Sequence, residues 1–383
     1  MRRMDRRTLL ALGLLAAVAA PQETFDERSP RAPDQALPVT FAPWYCSRCA
    51  AEKRGEAEPR DIQLMGKPAP QLAHELSVGR DWIVIESPTF RIFSSLEAGK
   101  VRYSDTPFAA ADLRRLNEIL AGFVPSSQSF LSAHERAHLY QIRLERVVCH
   151  FRALTGNDLP FLGMGDRFEV YLLQDGGHYR AFTERLLGRV FGPKSTAQRE
   201  HYPGDRNHFA VAVGADLLQG GDRQLNNTVI HHVAHTLAEG HRRYVADVWG
   251  WLDAGLAHYY ERRESPDYNY FCLDTTDPPR EYARGDWQRK IRYLVSRKKE
   301  PNFGVWCDKT LPQQLTVEQH VAAWSFVDWL VTTDPVRVAK LLDLTADQRR
   351  KWSGTEAIRE VFGTTPEAVH ERWREYVLSA DRG

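Results

Sequence analysis

The stretch that most restricts the fold is 226–263, where two helical segments follow each other across a short basic break. In the first, Val229, Val233 and Leu237 recur every fourth residue, as do Ile230, Ala234 and Ala238, so one side is apolar. Asn226, Asn227 and Thr228 offer N-caps, and Gly240 offers a C-terminal stop. His231 and His235 stand four apart, which puts both imidazoles on one helix face. Two neutral ring nitrogens so placed can share one Zn²⁺. The second segment reads Trp251-Leu252-Asp253-Ala254-Gly255-Leu256-Ala257-His258-Tyr259-Tyr260-Glu261.

Together these segments resemble the paired active-site helices of the gluzincins, the thermolysin-like branch of the MA clan of zinc peptidases. In particular they resemble an uncharacterised bacterial family of secreted, peptidase-like domains. That family carries His-Glu-x-x-His on the first helix and Trp-Leu-x-Glu-Gly-Leu-Ala on the second. The resemblance implies that His231 and His235 are zinc ligands and that a Glu should stand at position 254. It implies too that a Glu at 232 would activate the water. The spacing agrees, with 19 residues from His235 to the third-ligand position. Two positions depart from the pattern, since His232 replaces the general base and Ala254 replaces the third ligand. A catalytic zinc needs three protein ligands and a base. Asp253 is rotated about 100° from the ligand position, and His258 lies on the right face but about 6 Å along the axis. These two are the weak third-ligand candidates. The resemblance spans roughly residues 80–380 and is strongest at 229–261.

The 383-residue chain has 51 Lys and Arg against 50 Asp and Glu, a formal net charge of +1. That balance gives no electrostatic case for a nucleic-acid partner or an anionic membrane surface. Residues 1–20 read as a signal peptide, with Arg2, Arg3, Arg6 and Arg7 ahead of an apolar run too short to span a bilayer. Arg6-Arg7 also fits a twin-arginine signal, so the expectation is export to the periplasm or beyond, with no membrane span after signal removal.

Residues 21–75 read as a poorly ordered linker interrupted by Cys46-Ser47-Arg48-Cys49. With no second Cys-x-x-Cys, a four-thiolate zinc site is not expected. Cys149 sits on a helical apolar pattern and reads as a buried free thiol, while Cys272 and Cys307 could form a bridge. A literal His-Glu-x-x-His occurs at His134–His138. There Glu135 completes a capping box with Ser132, Arg136 interrupts the motif, and no Glu follows at the peptidase spacing. This second motif is therefore read as structural, not metal-binding.

The pattern predicts an α+β fold. A small mixed sheet with helices occupies 76–220, with strands at Trp82–Glu86, Phe90–Phe93, Phe168–Leu173 and His208–Val213 and a long helix at Ser132–Leu154. A mainly helical, gluzincin-like part follows at 221–383. Three functions stay open. One is a pseudopeptidase that binds a peptide or protein partner in the old cleft, with about His208–Val213 pairing to it as an edge strand. Another is an active zinc peptidase using His231, His235 and either His258 or Asp253, with His232 as base. The last is a structural exported protein whose cleft has no function.

Overall fold

The structure is a computed structural model, and it describes residues 45–49, 63–64, 67–68, 82–120, 122–187, 195–202, 208–242, 248–271, 278–347 and 349–379. The expected signal peptide, most of the expected linker, and Cys272 with its bridge to Cys307 lie outside the described residues.

In chain order, strands β1 (Tyr45–Cys46), β2 (Gln63–Leu64), β3 (Lys67–Pro68), β4 (Ile83–Glu86), β5 (Phe90–Ser94) and β6 (Gly99–Arg102) precede helix α1 (Ala109–Ile119). Then come β7 (Gln128–Leu131), α2 (Ala133–Thr155), β8 (Phe168–Leu173), α3 (Gly176–Leu187), β9 (Ala197–Tyr202) and β10 (His208–Gly214). The remainder is helical: α4 (Gly221–His241), α5 (Gly250–Glu264), α6 (Arg280–Ala283), α7 (Trp287–Ser296), α8 (Phe303–Trp306), α9 (Val317–Thr333), α10 (Pro335–Ala346), α11 (Gly354–Phe362) and α12 (Pro366–Ser379). This is the α+β class, with a mixed sheet leading into a helical C-terminal region.

Six strands form one sheet in the order β1-β4-β5-β8-β10-β9. The β5–β8 and β8–β10 pairs are parallel, and the other neighbours are antiparallel. Side chains alternate across it as a pleat requires. Phe90, Ile92, Phe168, Val170, Leu172, Phe209, Val211 and Val213 face the main core with α2 and α4. Phe93, Tyr171, Leu173, Ala210 and Ala212 face the other side, where Tyr179 and Phe182 of α3 cover them. Both sides of β10 are taken, by β8 and by β9. The expectation that His208–Val213 is an edge strand is corrected, because β9 is the outer strand there.

Helix α2 begins at the expected capping box. Ser132 Oγ accepts from the Glu135 amide at 3.3 Å, and the Ser132 amide donates to Glu135 Oε2 at 2.6 Å. Its last turn closes at Gly156, whose φ of 67° is the left-handed value that suits glycine. Cys149 on this helix is a free thiol but only half-buried.

Helix α4 is longer than its expected start and stop imply. Asn226 and Asn227 lie inside it, and they tie it to the end of α5 instead of capping it. Asn226 Nδ2 donates to Glu264 Oε2, and Asn227 Nδ2 donates to the carbonyls of Ser265 and Tyr268. Gly240 is the penultimate residue of the helix, one before its end at His241, and a Cβ there would stand 2.8 Å from the Phe168 ring. That glycine lets the last turn of the helix approach β8.

Helix α5 lies between α4 and α9. A Cβ on Gly255 would meet Val327 Cγ2 at 2.5 Å and the Ala323 carbonyl oxygen at 2.7 Å, so the crossing with α9 needs glycine. Trp251, Leu252, Leu256 and Ala257 are all fully buried in this layer.

A buried ion network fixes α2 against α4 and α5. Arg143 Nη1 reaches Asp222 at 2.8 Å, and Arg146 Nη1 reaches Glu264 Oε1 at 2.7 Å. Arg146 also bonds Asp112 of α1 at 3.2 Å.

Candidate metal centre

The histidines of α4 meet the acids of α5 inside the core. His235 Nδ1 donates to Asp253 Oδ1 at 2.6 Å. On its other side, His235 Nε2 lies 3.2 Å from His231 Nε2. His231 Nδ1 lies 3.0 Å from Glu261 Oε2. Glu261 Oε1 accepts from His258 Nδ1 at 2.5 Å, and His258 Nε2 is 3.0 Å from His320 Nδ1 of α9. The Tyr270 amide donates to Glu261 Oε2 at 3.0 Å. Asp253, His235, His231, Glu261, His258 and His320 thus form one continuous buried row.

Burial dominates the electrostatics of this row. It pulls His231, His258 and His320 down to about 3 and His235 well below its ordinary value, so all four imidazoles are neutral. The charge of Arg199 on β9 adds to the effect at His231 and His235. Burial also lifts the Asp253 and Glu261 carboxyls. Neutral imidazoles are the form that a metal takes as ligand.

The fit to a metal divides into two parts. His231, His258 and Glu261 each place a ligand atom within 4.8 Å of the others, a group that could hold a metal ion. His231 and His235 also turn Nδ1 toward carboxylates and Nε2 toward each other, which is how metal-binding histidines are oriented by outer partners. Among the described residues, no third ligand stands beside the Nε2 face that His231 and His235 share. Ala254 is a buried methyl group. Asp253 contacts Nδ1 of His235, away from the shared Nε2 face. His258 has one nitrogen on Glu261 and the other on His320.

His232, at the position where the resemblance expects the general base, is also buried. Burial first, then the neighbouring His231, holds it well below its ordinary value. Neither of its nitrogens has a hydrogen-bond partner among the described residues, and its ring centre is 4.6 Å from that of Tyr270. Aromatic rings close over the row: Tyr270 is 5.3 Å from His231, and Trp287 is 4.9 Å from His258.

Sequence reasoning placed His231, His235, Asp253 and His258 in this neighbourhood but left out the parts played by Glu261 and His320. Glu261 is one helical turn beyond His258, so an i, i+3 pairing on α5 was the available signal. His320 comes from α9, and nothing in its local sequence points to the site. The structure also brings together two pairs that the sequence reading kept apart, Cys46 with Cys49 and His134 with His138.

No protein-family model matches the chain, and no curated protein matches it either.

Proposed function

We propose that the chain is an exported, catalytically silent gluzincin-like protein, whose former zinc-peptidase site persists as a buried structural row. One observation carries this reading. The two carboxylates nearest the histidine pair, Asp253 and Glu261, face the Nδ1 atoms, and position 254 offers only a methyl group to the Nε2 side. A hydrolytic zinc needs a third ligand, an open position and a base that water can reach. The buried His232, with its ring edge-on to Tyr270, is poorly placed for that last role.

Export rests on the basic and apolar pattern of residues 1–20. A peptide partner held by strand addition would join β9, since β10 has no free side.

A second reading, retention of zinc by His231 and His235, is favoured by their 3.2 Å Nε2 separation and their carboxylate-facing Nδ1 atoms. Elemental analysis of protein purified without an affinity metal, beside His231→Ala, tests both. The silent reading expects no zinc that depends on His231 and no cleavage of unstructured casein. Zinc lost in His231→Ala, together with casein cleavage, would establish a working peptidase instead.

A further inference from the structure

We propose that Cys46, Cys49, His134 and His138 form a closed, structural Cys₂His₂ zinc site that clamps the start of the folded chain onto the long helix. This site is separate from the histidine row and goes beyond the function proposed above.

The side chains converge from two rigid places. Cys46 is held by β1, in register with Ile85 of β4, and the Val84 amide donates to Ser47 Oγ at 3.0 Å. Residues 47–49 form a helical turn that carries Cys49 back toward Cys46. His134 and His138 lie one turn apart on α2, whose first turn is fixed by the Ser132–Glu135 capping box. The spacing is Cys-x₂-Cys followed by His-x₃-His, within the usual range for such zinc ligands. Only the 84 residues between the two pairs disguise it.

The distances argue for a cation. His134 Nε2 lies 3.3 Å from Cys46 Sγ, 3.3 Å from Cys49 Sγ and 3.1 Å from His138 Nε2. Cys49 Sγ is 3.5 Å from His138 Nε2. An imidazole nitrogen has one in-plane lone pair or one N–H, so it cannot make three directed hydrogen bonds at once. Four donor atoms aimed at a common centre can be satisfied together by one metal ion. Around tetrahedral zinc the ligand atoms stand about 3.3 Å apart for N and N, about 3.6 Å for N and S, and about 3.8 Å for S and S. All four atoms here lie within 4.8 Å of one another. Two thiolates with two imidazoles select zinc over the harder divalent ions. The Cys49 amide also donates to Cys46 Sγ at 3.5 Å, which suits a thiolate acceptor. Cys46 and His138 are buried and Cys49 and His134 partly exposed, and four protein donors already complete the tetrahedral set of a structural zinc.

Co²⁺ replacement in the full chain tests the proposal. Protein stripped with a chelator is titrated with Co²⁺ and then with Zn²⁺ while its absorption spectrum is followed. The proposal expects about one equivalent of Co²⁺ with thiolate charge-transfer and tetrahedral d–d bands, displaced by Zn²⁺. Cys49→Ser should lose about half of the charge-transfer intensity, since one of two thiolates is gone. His134→Cys should keep binding and gain intensity, and the thiolate charge-transfer bands should persist in His231→Ala. Absence of thiolate bands in the parent protein would overturn the proposal. So would a Cys46–Cys49 disulfide found by non-reducing intact mass, or bands that vanish in His231→Ala. If Cys49→Ser does not fold, His134→Cys decides alone: added intensity supports the site and an unchanged spectrum overturns it.

Discussion

His231 and His235 face each other through their Nε2 atoms at 3.2 Å, while their Nδ1 atoms turn to Glu261 and Asp253. Both rings are neutral because burial disfavours their charged forms. The pair is therefore oriented as metal ligands would be, and among the described residues no third ligand stands on the same side. Position 254 is one of the two departures from the resemblance, its methyl group buried where the resemblance expects a carboxylate.

Ala254→Glu should thus behave differently with and without zinc. In chelator, a new carboxylate in this core should cost about 3 kcal/mol or more. If it points at the His231–His235 pair, saturating Zn²⁺ should recover a large part of that loss, because ligand binding to the native state adds stability. Denaturant titration with and without Zn²⁺ measures this. Equal destabilisation in both conditions would mean that position 254 no longer faces the pair.

The Arg146–Glu264 pair should matter to stability far more than a surface ion pair. Arg146 donates to both Glu264 oxygens, at 2.7 and 3.1 Å, and to both oxygens of Asp112. Removing one member leaves buried charge without its partner, which costs about 3–5 kcal/mol. Arg146→Ala should lower stability by that amount. Adding Glu264→Gln to it should cost much less than the sum of the two single changes.

Acid should reveal the same network through Asp222. Burial raises this carboxyl, but Arg143, Arg136 and the hydrogen bonds from Arg143 and Tyr140 outweigh it and hold it below its ordinary value. A carboxyl depressed in the folded state adds stability above its unfolded value of about 3.9, and that stability is lost as pH falls through the folded value. Asp222→Asn should therefore be less stable than the parent at pH 7, with the gap closing below about pH 4. Urea unfolding of both proteins across this range checks it. A gap that is constant with pH would mean that the Asp222 charge is not what the arginines stabilise.

Much of the fold was legible because apolar periodicity is local. The β4–β5 pair, α2 and β8 each announce themselves within one short window. Boundaries failed where a polar residue serves a distant neighbour. Asn226 and Asn227 look like caps but bond Glu264 and the carbonyls of Ser265 and Tyr268, whereas Gly240 falls within one residue of the true end at His241 and also admits Phe168. The His231–His235 neighbourhood was legible from i, i+4 spacing. His320 was not, because α9 reaches the row only through tertiary packing. The Cys46–Cys49 and His134–His138 pairs each looked incomplete alone, and only the contact between β1, its following turn and α2 unites them.

The crossing of α5 and α9 gives the last prediction. Gly255 stands where any Cβ would lie 2.5 Å from Val327 Cγ2 and 2.7 Å from a backbone oxygen of Ala323. Val327 could rotate, but the carbonyl belongs to the frame of α9 and cannot yield without moving the helix. Such overpacking costs about 1–3 kcal/mol, against a gain in helix propensity of about 1 kcal/mol on replacing glycine by alanine. Gly255→Ala should therefore destabilise on balance. Adding Val327→Ala should recover only part of the loss, because the contact with the Ala323 carbonyl remains. Thermal melting of the single and double variants separates the two contacts. Full recovery in the double variant would mean that the side chain alone sets the distance between α5 and α9, and with it the reach of His320 to His258.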